Sequence, residues 1–163
     1  MILKTNLLIA LLLLISPCFA QDKNDLDEMI NHAIQSVVKR YEEYIMQNRM
    51  KQEEFDKYYI VKDRFPGNFI LSDENKNLNQ KVLYSEEIPF KELKKGVDYF
   101  LFSLDILDGD IHIYINKRKY KIGKDKIRWD AKSDSYVFTY RYSCDKQKWE
   151  LIDSPKWYLK AQL

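Results

Sequence analysis

The stretch VDYFLFSLDILDGDIHIYIN, residues 97–116, decides the fold. Apolar side chains recur at every second position on both sides of Asp108-Gly109, the period of a pleated strand. Asp-Gly supplies the left-handed backbone that a two-residue turn needs, so 97–107 and 110–116 are predicted to be an antiparallel hairpin. Working outward, the same period marks strands at 58–63, 81–88, 118–122, 126–130, 135–143 and 148–153. Asp145-Lys146-Gln147 reads as a second reversal, and the polar run 72–80 (SDENKNLNQ) reads as a surface loop. Residues 90–96 (FKELKKG) form a short helical turn closed by glycine.

The period changes before Tyr58. Leu26, Met29, Ile30, Ala33, Val37, Tyr41, Tyr44 and Ile45 recur at three- and four-residue steps, and Asp25 with Glu28 three positions on suits a helix start. A long N-terminal amphipathic helix over about residues 25–50 is therefore expected. One helix followed by hairpins buries its stripe when the sheet curves around it. The expected class is α+β, with a curved antiparallel sheet of about five to seven strands. In its order of elements the chain resembles the cystatin-like and nuclear-transport-factor-2-like cone folds, a likeness of architecture that transfers no site residue.

Residues 1–20, MILKTNLLIALLLLISPCFA, carry one charge (Lys4), an apolar run from Leu7 to Ile15, then Ser16-Pro17 and Cys18-Phe19-Ala20. This is the build of a secretory signal cut near Ala20, leaving 21–163 as a single exported domain. The segment Leu14-Ile15-Ser16-Pro17-Cys18 also resembles a bacterial lipoprotein processing site, except that Pro17 stands where a small residue is usual. The expected location is secreted or periplasmic, with anchoring through Cys18 as the alternative.

Removing Lys4 from the 27 basic residues leaves 26 against 25 acidic ones, a balance that selects no partner. The distribution is uneven: 22–56 holds nine acidic and five basic residues, whereas 117–128 (KRKYKIGKDKIR) holds seven basic and one acidic. Lys117, Arg118, Lys119 and Lys121 are accordingly a candidate basic surface patch. Near-neutral charge and export argue against nucleic acid. A membrane partner follows only from lipidation at Cys18. After cleavage Cys144 alone remains, so no internal disulfide is expected, and Cys144 reads as a small buried hydrophobe.

No catalytic set, metal ligand set or cofactor motif emerges. His32 lies off the helix stripe without zinc-binding spacing. Asp105, Asp108 and Asp110 lack the ligand order of a calcium loop, and the turn accounts for them. His112 shares a strand face with Asp110 and Tyr114, and it would be the acid or base if that face lined a hollow. Nothing in the sequence joins it to Cys144. Tyr136, Phe138, Tyr140 and Tyr142 put four rings on one face of a strand, expected to pack on the helix with Trp149. The alternative is a ring-lined pocket, to which Trp129, Trp157 and Tyr158 would add. The candidate ligand-binding residues are His112, Tyr114, Tyr140 and Tyr142. The expected function is an exported non-catalytic binding domain, its partner an unknown protein, peptide or glycan of the cell envelope. The alternatives are a secreted inhibitor or immunity-type protein, and a small cone-fold hydrolase or isomerase using His112.

Overall fold

A computed structural model of the chain describes residues 23–122 and 127–153, with side chains described for 25–120, 122 and 135–153. The expected leader with Cys18, the side chains of Lys121 and Trp129, and Trp157 with Tyr158 lie outside the described residues.

Helix α1 (Lys23–Met46) is followed by a one-turn helix α2 (Gln52–Phe55) and strand β1 (Tyr59–Val61). Next come a one-turn helix α3 (Asp73–Lys76), strand β2 (Lys81–Leu83), a 3₁₀ turn at Ser85–Glu87 and helix α4 (Phe90–Lys95). Four long strands complete the chain: β3 (Val97–Leu107), β4 (Asp110–Ile122), β5 (Ile127–Ser143) and β6 (Lys148–Asp153). All form one six-stranded sheet in the order β2-β1-β3-β4-β5-β6. The class is α+β.

Two expectations are corrected here. The sheet is mixed, since β1 runs parallel to both β2 and β3, whereas β3 to β6 are antiparallel. Parallel neighbours need crossovers rather than tight turns, and residues 62–80 and 84–96 supply them with α3 and α4. Helix α1 ends at Met46 rather than near 50. Asn48 takes a left-handed φ of 56°, the Arg49 amide donates to the Tyr44 carbonyl at 2.8 Å, and the Asn48 amide donates to the Ile45 carbonyl at 2.9 Å. That is a Schellman closure with asparagine in place of glycine, and it satisfies carbonyls that a longer helix would have used.

The expected hairpin is present. Leu107 pairs with Asp110, and Asp108 and Gly109 both have positive φ, 53° and 83°. This double left-handed turn matches the twist of the strands it joins. The candidate strands 110–116 and 118–122 are one strand, as are 126–130 and 135–143. Where each pair joins, the β4–β5 register shifts between Asn116 and Arg118.

The core lies between α1 and one face of the sheet. Met29, Ile30, Ala33, Ile34, Val37, Val38 and Tyr41 are buried against Ile60, Phe100, Phe102, Ile111, Ile113, Ile115, Tyr136, Phe138 and Tyr140. Burying a large apolar side chain is worth about 1.5–3 kcal/mol, so the helix stripe alone matches the net stability of a domain, about 5–15 kcal/mol. Docking therefore holds α1 in place more than its helical propensity does. Of the expected aromatic row, Tyr136, Phe138 and Tyr140 are core with Trp149 half-buried beside them, whereas Tyr142 is only partly buried and lies outside that cluster. Cys144, in contrast, is exposed in the turn between β5 and β6, where no core is within reach.

A buried polar knot fixes the loop before α3 onto α1. Asn31 donates to the carbonyls of Asp27 (2.8 Å) and Ile70 (2.9 Å). Its Oδ1 accepts from the Ser72 amide and the Asn75 side chain, both at 2.8 Å. Asp27 Oδ2 accepts from the Ile70 amide at 3.2 Å. Ser72 caps α3 by accepting from the Asn75 amide.

Candidate functional site

The sheet face turned away from α1 carries its own apolar cluster. Tyr59, Val61, Val97 and Tyr99 are buried there with Ile88, and Leu83, Leu93, Leu101 and Tyr120 pack around them. This follows from the composition of β3, which is apolar at both parities from Tyr99 to Phe102 and so is built for cover on both faces. The cover is the segment 84–96. Ser85 donates its amide to Asp63 Oδ1 at 2.8 Å, and the Tyr84 amide donates to Glu87 Oε2 at 2.6 Å. Gly96, with φ of 91°, turns the end of α4 directly into β3. Tyr59 donates its hydroxyl to Glu92 and ties α4 to β1.

The cover is incomplete. Between it and the sheet lies an open groove of about 610 Å³. Its apolar lining is Val61, Ile88, Leu93, Tyr99 and Leu101, and its polar lining includes Asp63, Arg64, Glu86, Arg118 and Tyr120. Register places Arg118 opposite Tyr99 and Tyr120 opposite Val97, so the guanidinium rises from the sheet floor. Burial pushes the Tyr99 hydroxyl up to about 12, and the charges of Arg118, Asp63 and Arg64 all act on it. Among the described residues neither Arg64 nor Arg118 forms an ion pair.

Two other concavities differ in chemistry. One, also of about 610 Å³, is lined by four acids, Glu54, Asp56, Glu92 and Asp98, together with three bases, Lys57, Lys81 and Lys95. The other, about 300 Å³, lies between the start of α1 and β5–β6, lined by Asp25, Glu28, His32, Tyr140, Lys148 and Trp149. There His32 Nδ1 is 2.7 Å from Tyr140 Oη, which also donates to the Met29 carbonyl at 3.3 Å. Burial lowers the affinity of His32 for a proton and raises the pKa of Tyr140. Among the described residues the buried indole N–H of Trp149 has no hydrogen-bond partner.

The residues singled out from sequence do not form one site. His112 and Tyr114 stand on the outer face opposite Thr139 and Val137, while Tyr140 stands opposite Ile111 on the face that α1 covers. His112 Nδ1 lies 3.1 Å from Thr139 Oγ1, and its ring stacks on Tyr114 at 6.2 Å between centroids. Tyr142 packs edge-on against Trp149, its cross-strand partner. The basic patch is split by strand alternation. Lys117 is only 8% exposed and sits over the rings of Tyr41 (5.1 Å) and Tyr58 (4.9 Å) on the inner side, so it is not part of a surface patch. Arg118 enters the outer groove, and Lys119 faces inward opposite Asp98. The side chain of Lys121 lies outside the described residues. Arg64, Tyr99 and Leu93 were not indicated by sequence. The one signal that could have led to Tyr99 is the unbroken apolar run Tyr99 to Phe102 in β3, and nothing comparable marks Arg64 or Leu93.

No family model, curated protein or solved structure matches the chain. Among the described residues no group of three or more His, Cys, Asp or Glu side chains converges as a metal site, and no helix is long and apolar enough to cross a membrane.

Proposed function

We propose that the chain is an exported, non-catalytic binding domain that takes its ligand in the outer-face groove. The observation that carries this is the meeting of an apolar floor with two guanidinium groups that form no ion pair among the described residues. Ligand sites are mostly apolar concavities with a few placed polar groups, commonly of about 300–1,000 Å³. The other large concavity has seven charged side chains in its lining against four in the outer groove, and so offers a ligand less apolar floor. Residues 1–20 support export, with cleavage near Ala20 or a lipid anchor at Cys18, and the cell envelope is the place to look for the ligand. In this reading the sheet curves about α1 in the manner of the cystatin-like and nuclear-transport-factor-2-like cones, and the groove lies on its convex side.

A nuclear magnetic resonance fragment screen on the isotope-labelled domain tests this reading. Hits of varied chemistry that perturb Tyr99, Leu101 and Tyr120 support it. Hits confined to other surfaces, or none, overturn it.

A second reading, a secreted inhibitor or immunity-type protein, rests on the β3–β4 hairpin tip. Ile106 and Leu107 there are 61% and 56% exposed, enough apolar surface to enter a partner's cleft. Loss of partner inhibition on changing both to Ser would favour it. Nothing similar favours a hydrolase or isomerase, because His112 lines none of these concavities.

A further inference from the structure

We infer that the groove's ligand is a single-chain amphiphile with an anionic head, its carboxylate or phosphate held by Arg118 and Arg64 and its chain laid along Leu93 and Leu101. This rests on the reading of the groove as a binding site and adds the ligand's chemistry.

The sign of the head group follows from burial. Four charged side chains line the groove, two of each sign. Asp63, Glu86 and Arg64 are all exposed and hydrated, and Asp63 also accepts the Ser85 amide, so the sign of the head group rests on Arg118, with Arg64 a second cation in the same lining. Arg118 is half-buried on the sheet floor beside Tyr99, without an ion pair among the described residues. A partly desolvated cation is the group that gains most from an incoming partner. The planar guanidinium matches carboxylate and phosphate oxygens two at a time. The body of the ligand follows from the lining, which is aliphatic on both walls: Val61 and Leu101 from the sheet, Ile88 and Leu93 from the covering segment.

The test is calorimetric titration of the domain with four twelve-carbon chains below their micelle concentrations: dodecanoate, dodecyl phosphate, dodecyltrimethylammonium and dodecyl maltoside. Dodecanoate, dodecyl phosphate or both are expected to bind one to one, at least tenfold more tightly than the cationic and neutral chains. Carboxylate alone assigns a fatty acid, phosphate alone a phospholipid-type head, and either supports the inference. Arg118→Gln and Arg64→Gln, each checked for an unchanged circular dichroism spectrum, are expected to weaken the anionic chains at least tenfold and to leave the neutral chain alone. Equal binding of all four chains, or anionic binding untouched by both Arg variants, overturns the anionic head while leaving the groove as a site. If none of the chains binds but fragments still map to the groove, the amphiphile is wrong and the groove stands. If the fragments also miss the groove, the underlying reading fails with it.

Discussion

Arg118 stands directly opposite Tyr99 across β3 and β4, on the sheet face turned away from α1. Its neighbour Lys117 stands opposite Phe100 on the other face, with its ammonium over Tyr41 and Tyr58. One step along a strand thus sends one cation into the core and the next into an open groove. A run that reads as a basic patch in one dimension is two unrelated environments in three.

Lys117 is therefore a stability residue. Replacing it with Ala removes two ring contacts and the packing of its stem, at an expected cost of about 1–3 kcal/mol. Lys119→Ala, on a half-buried side chain at the end of the same row, is expected to stay within about 0.5 kcal/mol. Urea unfolding of the two variants checks this, and equal small effects would show that the Lys117 ring contacts contribute nothing.

Stability is expected to fall at both ends of the pH range. Tyr59 and Tyr99 are pushed up to about 12, mainly by burial, and Tyr140 is raised for the same reason. Folding favours their neutral forms, so their contribution is whole below the ordinary tyrosine value near 10 and is lost as pH rises through about 12. His32 moves the other way: burial lowers its pKa from 6.5, so its contribution is whole above 6.5 and is lost as pH falls through the lowered value. His32→Gln should flatten the acid limb of a plot of melting temperature against pH and leave the alkaline limb unchanged. An unaltered acid limb would exclude His32 as its source.

Asn31 joins α1 to the segment around α3 through four hydrogen bonds, one given to the Ile70 carbonyl and three received from Ser72 and Asn75, while a fifth, to the Asp27 carbonyl, lies within α1. Asn31→Ala leaves several of those buried groups without partners, for an expected loss of about 2–3 kcal/mol. Hydrogen exchange should speed up at the Ser72 amide before it does in β4 or β5. Uniform acceleration would mean that the knot is not a local tie.

The long strands and their tight turn were legible in the sequence because each signal was local. Alternation from Val97 to Ile115 and the pair Asp108-Gly109 need no knowledge of the rest of the chain. The aromatic row Tyr136, Phe138 and Tyr140 could be assigned to the core because only α1 had a stripe to cover it. The parallel pairing of β1 and β2 was hidden, since three-residue strands carry little periodicity and their neighbours are chosen by the crossovers at 62–80 and 84–96. The end of α1 was misplaced because Asn48 closes it in a role that glycine more often fills. Of the groove only Arg118 stood out in the sequence, and as part of a basic surface patch. In sequence β3 reads as a simple alternating strand that names no second covering layer, and because Arg64 comes from an irregular crossover, no spacing connects it to Arg118. His112 and Tyr140 were grouped by residue type, and strand alternation separates them.

The central claim is that the groove beside Arg118 is where this domain meets its ligand. An amide-resolved nuclear magnetic resonance titration of the labelled domain with dodecanoate tests it most directly. Saturable shifts are expected at Tyr99, Leu101, Arg118 and Tyr120, with the affinity reduced at least tenfold by Arg118→Gln. Saturable shifts confined to the exposed apolar tip at Ile106 and Leu107, or no saturable groove shifts with dodecanoate, dodecyl phosphate or the fragments, would contradict it.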